Sequence, residues 1–248
     1  MLFLNKGYLM HSNTINLKKL IKIQQQLQNG RNWNEHKARL LIQALHQIEI
    51  YPEGLVHFLL EVMSYKDPEL AAHCLRVMHY SKKIGMKLGL SQNELQILEG
   101  GSKIHDLGKI AIPDFILNKP STLTYDEIQI VNQHPKTGYE LIKSIPSLRK
   151  YLPIVLSHHE KLDGSGYPDH LKSEQITLEV RIATIADIYD AMTSNRPYRP
   201  RLHPNFVIEE LWKEAADGKI DPFIVNILSE IIKQEQKTIG NILIYQPA

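Results

Sequence analysis

The sequence predicts an all-α protein. Apolar residues return at helical spacing in segment after segment. β-branched runs with period two are almost absent, and prolines, glycines and capping pairs fall mostly between the periodic segments. With 248 residues, 43% of them hydrophobic and only 7% aromatic, the chain can bury a substantial core, and aliphatic side chains must build it.

Residues 16–29 carry Leu and Ile at helical spacing and stop at Gly30, and residues 34–50 place Leu40, Leu41, Ala44, Leu45 and Ile48 on one side. Pro52 and Gly54 then read as a break, with a third helix over 55–65. This gives a small helical N-terminal region, residues 1–60, regulatory or structural, ahead of a main domain over 61–248. Pro68 suits the first turn of a helix reaching about Leu88, where Gly89 ends it. Ser91 with Glu94 forms a capping box for a helix to about His105, and Thr124 with Glu127 repeats the box before a helix at 125–132. Pro135 opens another helix to about 144. A helix near 148–158 leads into a glycine-rich loop at 163–168. Residues 177–193 are strongly helical, and two last helices follow Pro204 and Pro222.

Composition narrows the function classes. The longest apolar runs, such as 58–60 and 182–188, are too short to span a bilayer. The opening MLFLNKGYLM has no sustained apolar core and no clear small-residue cleavage site, so it does not read as a signal peptide. A single cysteine, Cys74, excludes an internal disulfide and fits a reducing compartment, so a cytoplasmic location is expected. A net charge of +2 argues against a nucleic-acid polymer as partner but leaves room for a small phosphate ligand.

The unusual number is 12 histidines, and several stand in suggestive company. His105-Asp106 sits in IHDLGK, His134 begins HPKTG, and His158-His159 sits in SHHEKLDGSGYP. Glu69 and His73 are four apart and share a helix face. Neutral imidazole and carboxylate suit Mn, Fe, Co, Ni and Zn. An adjacent His-Asp lets one carboxylate bridge two ions while its neighbour holds one of them. Each piece alone has a bland alternative: a chance dipeptide, a core histidine with a hydrogen bond, a solvated helix face. Asp187 is harder to dismiss. Ile182, Ala183, Ile185, Ala186 and Ile188 predict a mostly buried helix, and a buried carboxylate without a partner is costly.

HDLGK, HHEKLDGSGYP and RPYR, in this order and spacing, resemble the HD-GYP branch of the HD phosphohydrolase superfamily. The resemblance runs from about Asp67 to Leu202 and includes IPDFILNKPSTLT and HPKTGYELI. It implies an all-helical HD-domain bundle with a five-helix core, and a centre of two or three divalent transition-metal ions that hydrolyses cyclic di-GMP to linear pGpG and on to GMP. Fe or Mn leads, with Co, Ni and Zn as alternatives. The family's ligand positions fall on His73, His105, Asp106, His134, His158, His159 and Asp187. His73, His105, Asp106 and Asp187 would surround one ion, and Asp106, His134, His158 and His159 the other. Cations in such a pair lower the pKa of a shared water toward ~7. Asp106 and Lys109 are the expected catalytic residues, with Lys109 on the scissile phosphate. Asp163, Gly166 and Tyr167 of the loop, with Arg196 and Arg199 beyond the Asp187 helix, are expected to bind substrate, the arginines through their planar fork.

Glu69 is expected to share an added third ion with His73, against the alternative of an ordinary first-turn acid. Arg76 reads as a buried ion-pair partner and Asp190 as an outer support of the metal site. Cys74 reads as a small core residue. His11, His36, His46, His57, His79, His170 and His203 have no ligand-like company. Two other readings stand beside cyclic di-GMP hydrolysis: an HD-type hydrolase of another cyclic dinucleotide or nucleotide, and a metal-loaded signalling module. A homodimer or a signalling protein partner is compatible with each.

Overall fold

The computed structural model describes residues 52–195 and 200–244, with side chains to residue 238. Arg196, Arg199 and the helices expected at 16–29 and 34–50 lie outside the described residues. Helix α1 spans Pro52–Lys66, α2 Pro68–Lys87 and α3 Gln92–Ile104. A 3₁₀ turn follows over Leu107–Ala111, then α4 (Asp114–Leu117), α5 (Tyr125–Val131) and α6 (His134–Ile142). A second 3₁₀ stretch, Pro146–Tyr151, runs into α7 (Leu152–Ser157). After the glycine-rich loop come a third, Ser173–Gln175, then α8 (Leu178–Thr193), α9 (Pro204–Ala216) and α10 (Pro222–Ile244). The all-α expectation holds: the described residues contain no strand, only an isolated bridge between Asp163 and Lys172.

Pro52 opens α1 rather than breaking the chain before it. A first-turn N–H has no intrahelical acceptor, so proline loses nothing there, and its fixed φ already suits a helix. The boundary drawn at 60/61 falls inside this helix. Leu55, Val56, Phe58, Leu59, Leu60, Val62 and Met63 of α1 are buried in one cluster with Leu70, Ala71 and Cys74 of α2, Leu107, Ile110, and Leu141 to Val155 further on. Helix α1 is therefore packed into the same body as the helices that follow it.

The capping signals act as the sequence suggests. Asp67 caps α2, its carboxylate accepting the N–H groups of Glu69 and Leu70 at 2.9 and 3.3 Å. Ser91/Glu94 and Thr124/Glu127 both form complete capping boxes. The 3₁₀ turn at Leu107–Ala111 and the single-turn α4 were not anticipated, because segments this short carry no apolar period to read. Lys66, almost wholly buried, anchors the end of that region by donating to the Ile112 carbonyl at 2.8 Å and pairing with Asp114.

A second apolar cluster joins Ile84, Leu98 and Ile154 to the buried face of α8 and to α9 and α10. Helix α2 packs against α1, α3 and α8, and so spans the two clusters. The buried polar residues His73, His105, Asp106, His134, His158, Asp187 and Asp190 come from elements of both. Asp67→Ala removes the cap of the helix that carries His73. It is expected to cost about 1 kcal/mol and to lower the melting temperature by roughly 2–4 °C, with helical content before the transition unchanged by circular dichroism.

Candidate metal centre

Five chain segments bring their donors to one buried place. His73 arrives from the middle of α2 and His105 from the end of α3. Asp106 precedes the 3₁₀ turn, His134 opens α6, and His158 and His159 follow α7. Asp187 projects from α8. Donor atoms of His73, His105 and Asp106 lie within 4.8 Å of one another, and so do those of Asp106, His134, His158 and His159. Asp106 is common to both groups, and its two oxygens divide between them. Oδ1 is 3.1 Å from His134 Nε2 and 3.8 Å from His158 Nε2, while Oδ2 is 3.5 Å from His105 Nε2 and 3.7 Å from His73 Nε2. Asp187 Oδ1 adds a second carboxylate to the first group, 3.0 Å from His73 Nε2 and 3.8 Å from His105 Nε2.

The far side of each ring fixes which nitrogen faces inward. His105 Nδ1 donates to the Ser102 carbonyl at 2.8 Å and His134 Nδ1 to Val131 at 2.8 Å. His158 Nδ1 donates to Ile154 and Val155 at 3.0 and 3.2 Å. A carbonyl oxygen only accepts, so these Nδ1 atoms carry a proton and the Nε2 atoms face the cluster. His134 Nε2 and His158 Nε2 are 3.1 Å apart. Two lone pairs at that distance repel unless a cation lies between them. His105 Nε2 and Asp106 Oδ1 are buried with no hydrogen-bond partner among the described residues. Orphaned donor atoms of this kind, converging in a buried pocket, fit divalent metal ions.

The electrostatics agree. Burial pushes His158 well below its ordinary range, helped by the neighbouring imidazoles, and pushes His159 down to about 3. Both are neutral ligands at neutral pH. Burial alone would raise Asp106, but Lys109 first and then His105 and His134 hold its carboxyl well below the usual range. Burial likewise would raise Asp187, and contacts to His105 and His73 outweigh it. His105 goes the other way: burial pulls it down, yet Asp106 and further partners keep it protonated well above the usual imidazole range. A site with two buried carboxylates needs positive charge, and without an ion a proton supplies it.

The loop after His159 is folded back onto the centre. The Tyr167 N–H donates to the His159 carbonyl at 3.2 Å, and the Tyr167 ring stacks on the His159 ring at 4.7 Å between centroids. Glu160, buried directly after the two histidines, accepts the N–H groups of Asp169 and Leu171 at 2.7 and 3.0 Å. A Cβ on Gly166 would lie 2.3 Å from Lys161 N and 2.5 Å from the His159 carbonyl oxygen, so only glycine lets the loop approach this closely.

The HD domain family model matches residues 58–224, two thirds of the chain. The chain belongs to the HD domain family. Within it the chain is a member of the HD-GYP group, as its relatives indicate. It is 37% identical over 214 residues to the cyclic di-GMP phosphodiesterase response regulator RpfG of Xanthomonas campestris, covering 84% of this chain and 56% of that protein. It is 35% identical over 181 residues to 3′3′-cGAMP-specific phosphodiesterase 2 of Vibrio cholerae, covering 71% of this chain and 34% of that one. The chain thus spans about half or less of these relatives' length. Among solved structures, Bd1817, an HDG"Y"P protein from Bdellovibrio bacteriovorus, shares the fold with a TM-score of 0.58 at 16% identity, over 88% of this chain and 70% of that one.

Within this HD-GYP chain the expected residues separate into two sets. His73, His105, Asp106, His134, His158, His159 and Asp187 converge as described. Lys109 sits at the edge, its ammonium 2.6 Å from Asp106 Oδ2 and its side chain 19% exposed. Glu69 joins neither donor group: its side chain is 58% exposed and its carboxylate pairs with Arg76 Nη2 at 2.7 Å. Arg76, expected to be buried, is partly exposed and bridges Glu69 to Asp190. Asp163 is exposed and accepts from the Ser165 N–H and hydroxyl, which makes it a cap of its own turn. Cys74 is buried in the first cluster.

Sequence reasoning missed Glu160, whose place beside His158-His159 was the available signal, and Gly108. A Cβ at Gly108 would lie 1.9 Å from the His134 carbonyl oxygen and 2.7 Å from Gly138 N. Backbone on backbone contact there is what lets His134 reach Asp106, and the glycines of HDLGK and HPKTG mark it. Gly108→Ala is expected to force α6 away and cost about 1–3 kcal/mol. Bound metal measured by plasma emission is expected to fall, while far-ultraviolet circular dichroism stays helical.

Proposed function

We propose that the chain is a metal-dependent phosphodiesterase acting on a cyclic dinucleotide, with cyclic di-GMP as substrate and linear pGpG as its first product. The observation that carries this reading is Asp106, whose two oxygens face two separate donor groups. Divalent ions held there, Fe or Mn in this proposal, supply Lewis acidity and a water of low pKa at the scissile phosphate. The chain's own residues do the rest. Asp106 and the inward Nε2 atoms fix where that charge sits, and burial holds His134, His158 and His159 toward the neutral form that serves as a ligand. Lys109 adds a cation at the boundary between buried Asp106 and solvent, where it neutralises a non-bridging phosphate oxygen or the leaving oxygen. The loop with Tyr167 holds His159 in place. Arg196 and Arg199 are assigned to phosphate and guanine edges, residues 1–60 to a regulatory or structural role, and the cytoplasm to the place of action.

The RpfG relative favours cyclic di-GMP, and the cGAMP-specific relative favours a mixed dinucleotide as the second reading. No described helix is long and apolar enough to cross a membrane. The deciding experiment incubates the purified full chain, its metal quantified, with cyclic di-GMP, 3′3′-cGAMP and cyclic di-AMP and separates products by chromatography. Turnover fastest with cyclic di-GMP is expected, with Asp106→Ala inactive and depleted of ions at both positions. Faster turnover of 3′3′-cGAMP moves the substrate to the second reading. A metal-loaded protein that leaves all three intact overturns the phosphodiesterase assignment.

A further inference from the structure

Three of the inward-facing imidazoles are braced by peptide carbonyls, and His73 is braced differently. Its Nδ1 donates to Asp190 Oδ2 at 2.6 Å. Asp190 is itself held by Arg76, whose Nε donates to Oδ1 at 2.7 Å and whose Nη2 donates to Oδ2 at 3.2 Å. The Ser194 hydroxyl adds a bond to Oδ2 at 3.3 Å, and Glu69 holds the outer edge of the Arg76 guanidinium at 2.7 Å. The arrangement follows from helix geometry. His73 and Arg76 stand three apart on α2, and Asp187 and Asp190 stand three apart on the facing α8, so each pair presents one face to the other. His73 lies between the two carboxylates, Nε2 toward Asp187 at 3.0 Å and Nδ1 toward Asp190.

A charged acceptor behind a metal-binding imidazole fixes its tautomer and raises its basicity more than a neutral carbonyl does. We infer that Asp190, clamped by Arg76, is a positioning residue that makes the position formed by His73, His105, Asp106 and Asp187 the tighter of two unequal metal positions. That position has two carboxylates in direct reach and a third behind His73. The other has Asp106 as its carboxylate among three imidazoles, His134, His158 and His159. A divalent ion should therefore load the His73 side first. Arg76 is the more tolerant handle, because its side chain is 37% exposed and lines an open cavity of about 380 Å³ together with Asp190 and Ser194.

This inference rests on the metal-centre reading and is tested by metal binding alone. Apo full-length protein is titrated with Co²⁺ against a chromophoric chelator while the Co²⁺ absorption bands are followed. Wild type is expected to take up two equivalents with distinct affinities. In Asp190→Asn the tighter equivalent should weaken by about 10–100-fold while the other stays within about threefold. Arg76→Ala should move the same equivalent in the same direction, and Arg76→Lys should restore part of it. If Asp190→Asn does not fold, the two Arg76 variants carry the test. Two unchanged equivalents in the variants, or equal weakening of both, overturn the positioning role while leaving the metal centre standing. A wild-type chain that binds no Co²⁺ overturns the metal centre, and this inference with it.

Discussion

The buried carboxylate of Asp106 is the constraint to which the rest of the molecule answers. A charge in a low-dielectric interior is expensive unless partners surround it. Here the partners come from everywhere in the chain: Lys109 one turn on, His105 beside it, His73 from α2, His134 from α6 and His158 after α7. No local segment could assemble that shell. The fold has to bring five segments together, and both apolar clusters contribute elements to the wall around it. Packing density in the core is thus tied to ligand geometry at the centre, most tightly where Gly108 meets the backbone of His134.

The same demand explains the contrast among the imidazoles. Burial pushes His158 and His159 toward the neutral form, whereas at His105 the Asp106 carboxylate outweighs burial and pushes the ring toward the charged form. One cluster therefore holds imidazoles driven in opposite directions, by burial in one case and by a carboxylate in the other. A divalent ion held by these residues would supply the positive charge that the two buried carboxylates need. The Nδ1 contacts to Ser102, Val131 and Ile154 lie on the side of each ring away from the centre.

Much of this was legible in the sequence, for reasons that differ by residue. Helix starts at Asp67, Ser91 and Thr124 were readable because a cap is a local interaction between residues two or three apart. The 3₁₀ turn at Leu107–Ala111 was not, since five residues carry no period. The donor histidines were visible by type and by the HD-GYP resemblance, but their supports were not, because a backbone carbonyl has no sequence signature. Glu69 shows the limit of helix-face arithmetic. The spacing that places it on the face of His73 places it near Arg76 as well, and a solvated guanidinium two turns on is the partner it takes. Asp190 was readable as a support because it lies one turn from Asp187 on a buried helix, though its link to His73 needed the fold.

Arg76 joins these observations. Taken alone it is a partly exposed arginine in a surface ion pair with Glu69, a kind of contact that contributes little to stability. Its other edge reaches the buried Asp190, and there the balance changes. Without the guanidinium, Asp190 would be a second largely buried anion within one turn of Asp187. With it, Asp190 is neutralised by a residue that cannot itself enter the metal site. His73 Nδ1 faces Asp190 and Nε2 faces the centre. The outermost charge of the chain from Glu69 to His73 is in water while the innermost faces the ion position. Solvent-side events at Arg76 therefore have a direct hydrogen-bonded route through Asp190 to His73.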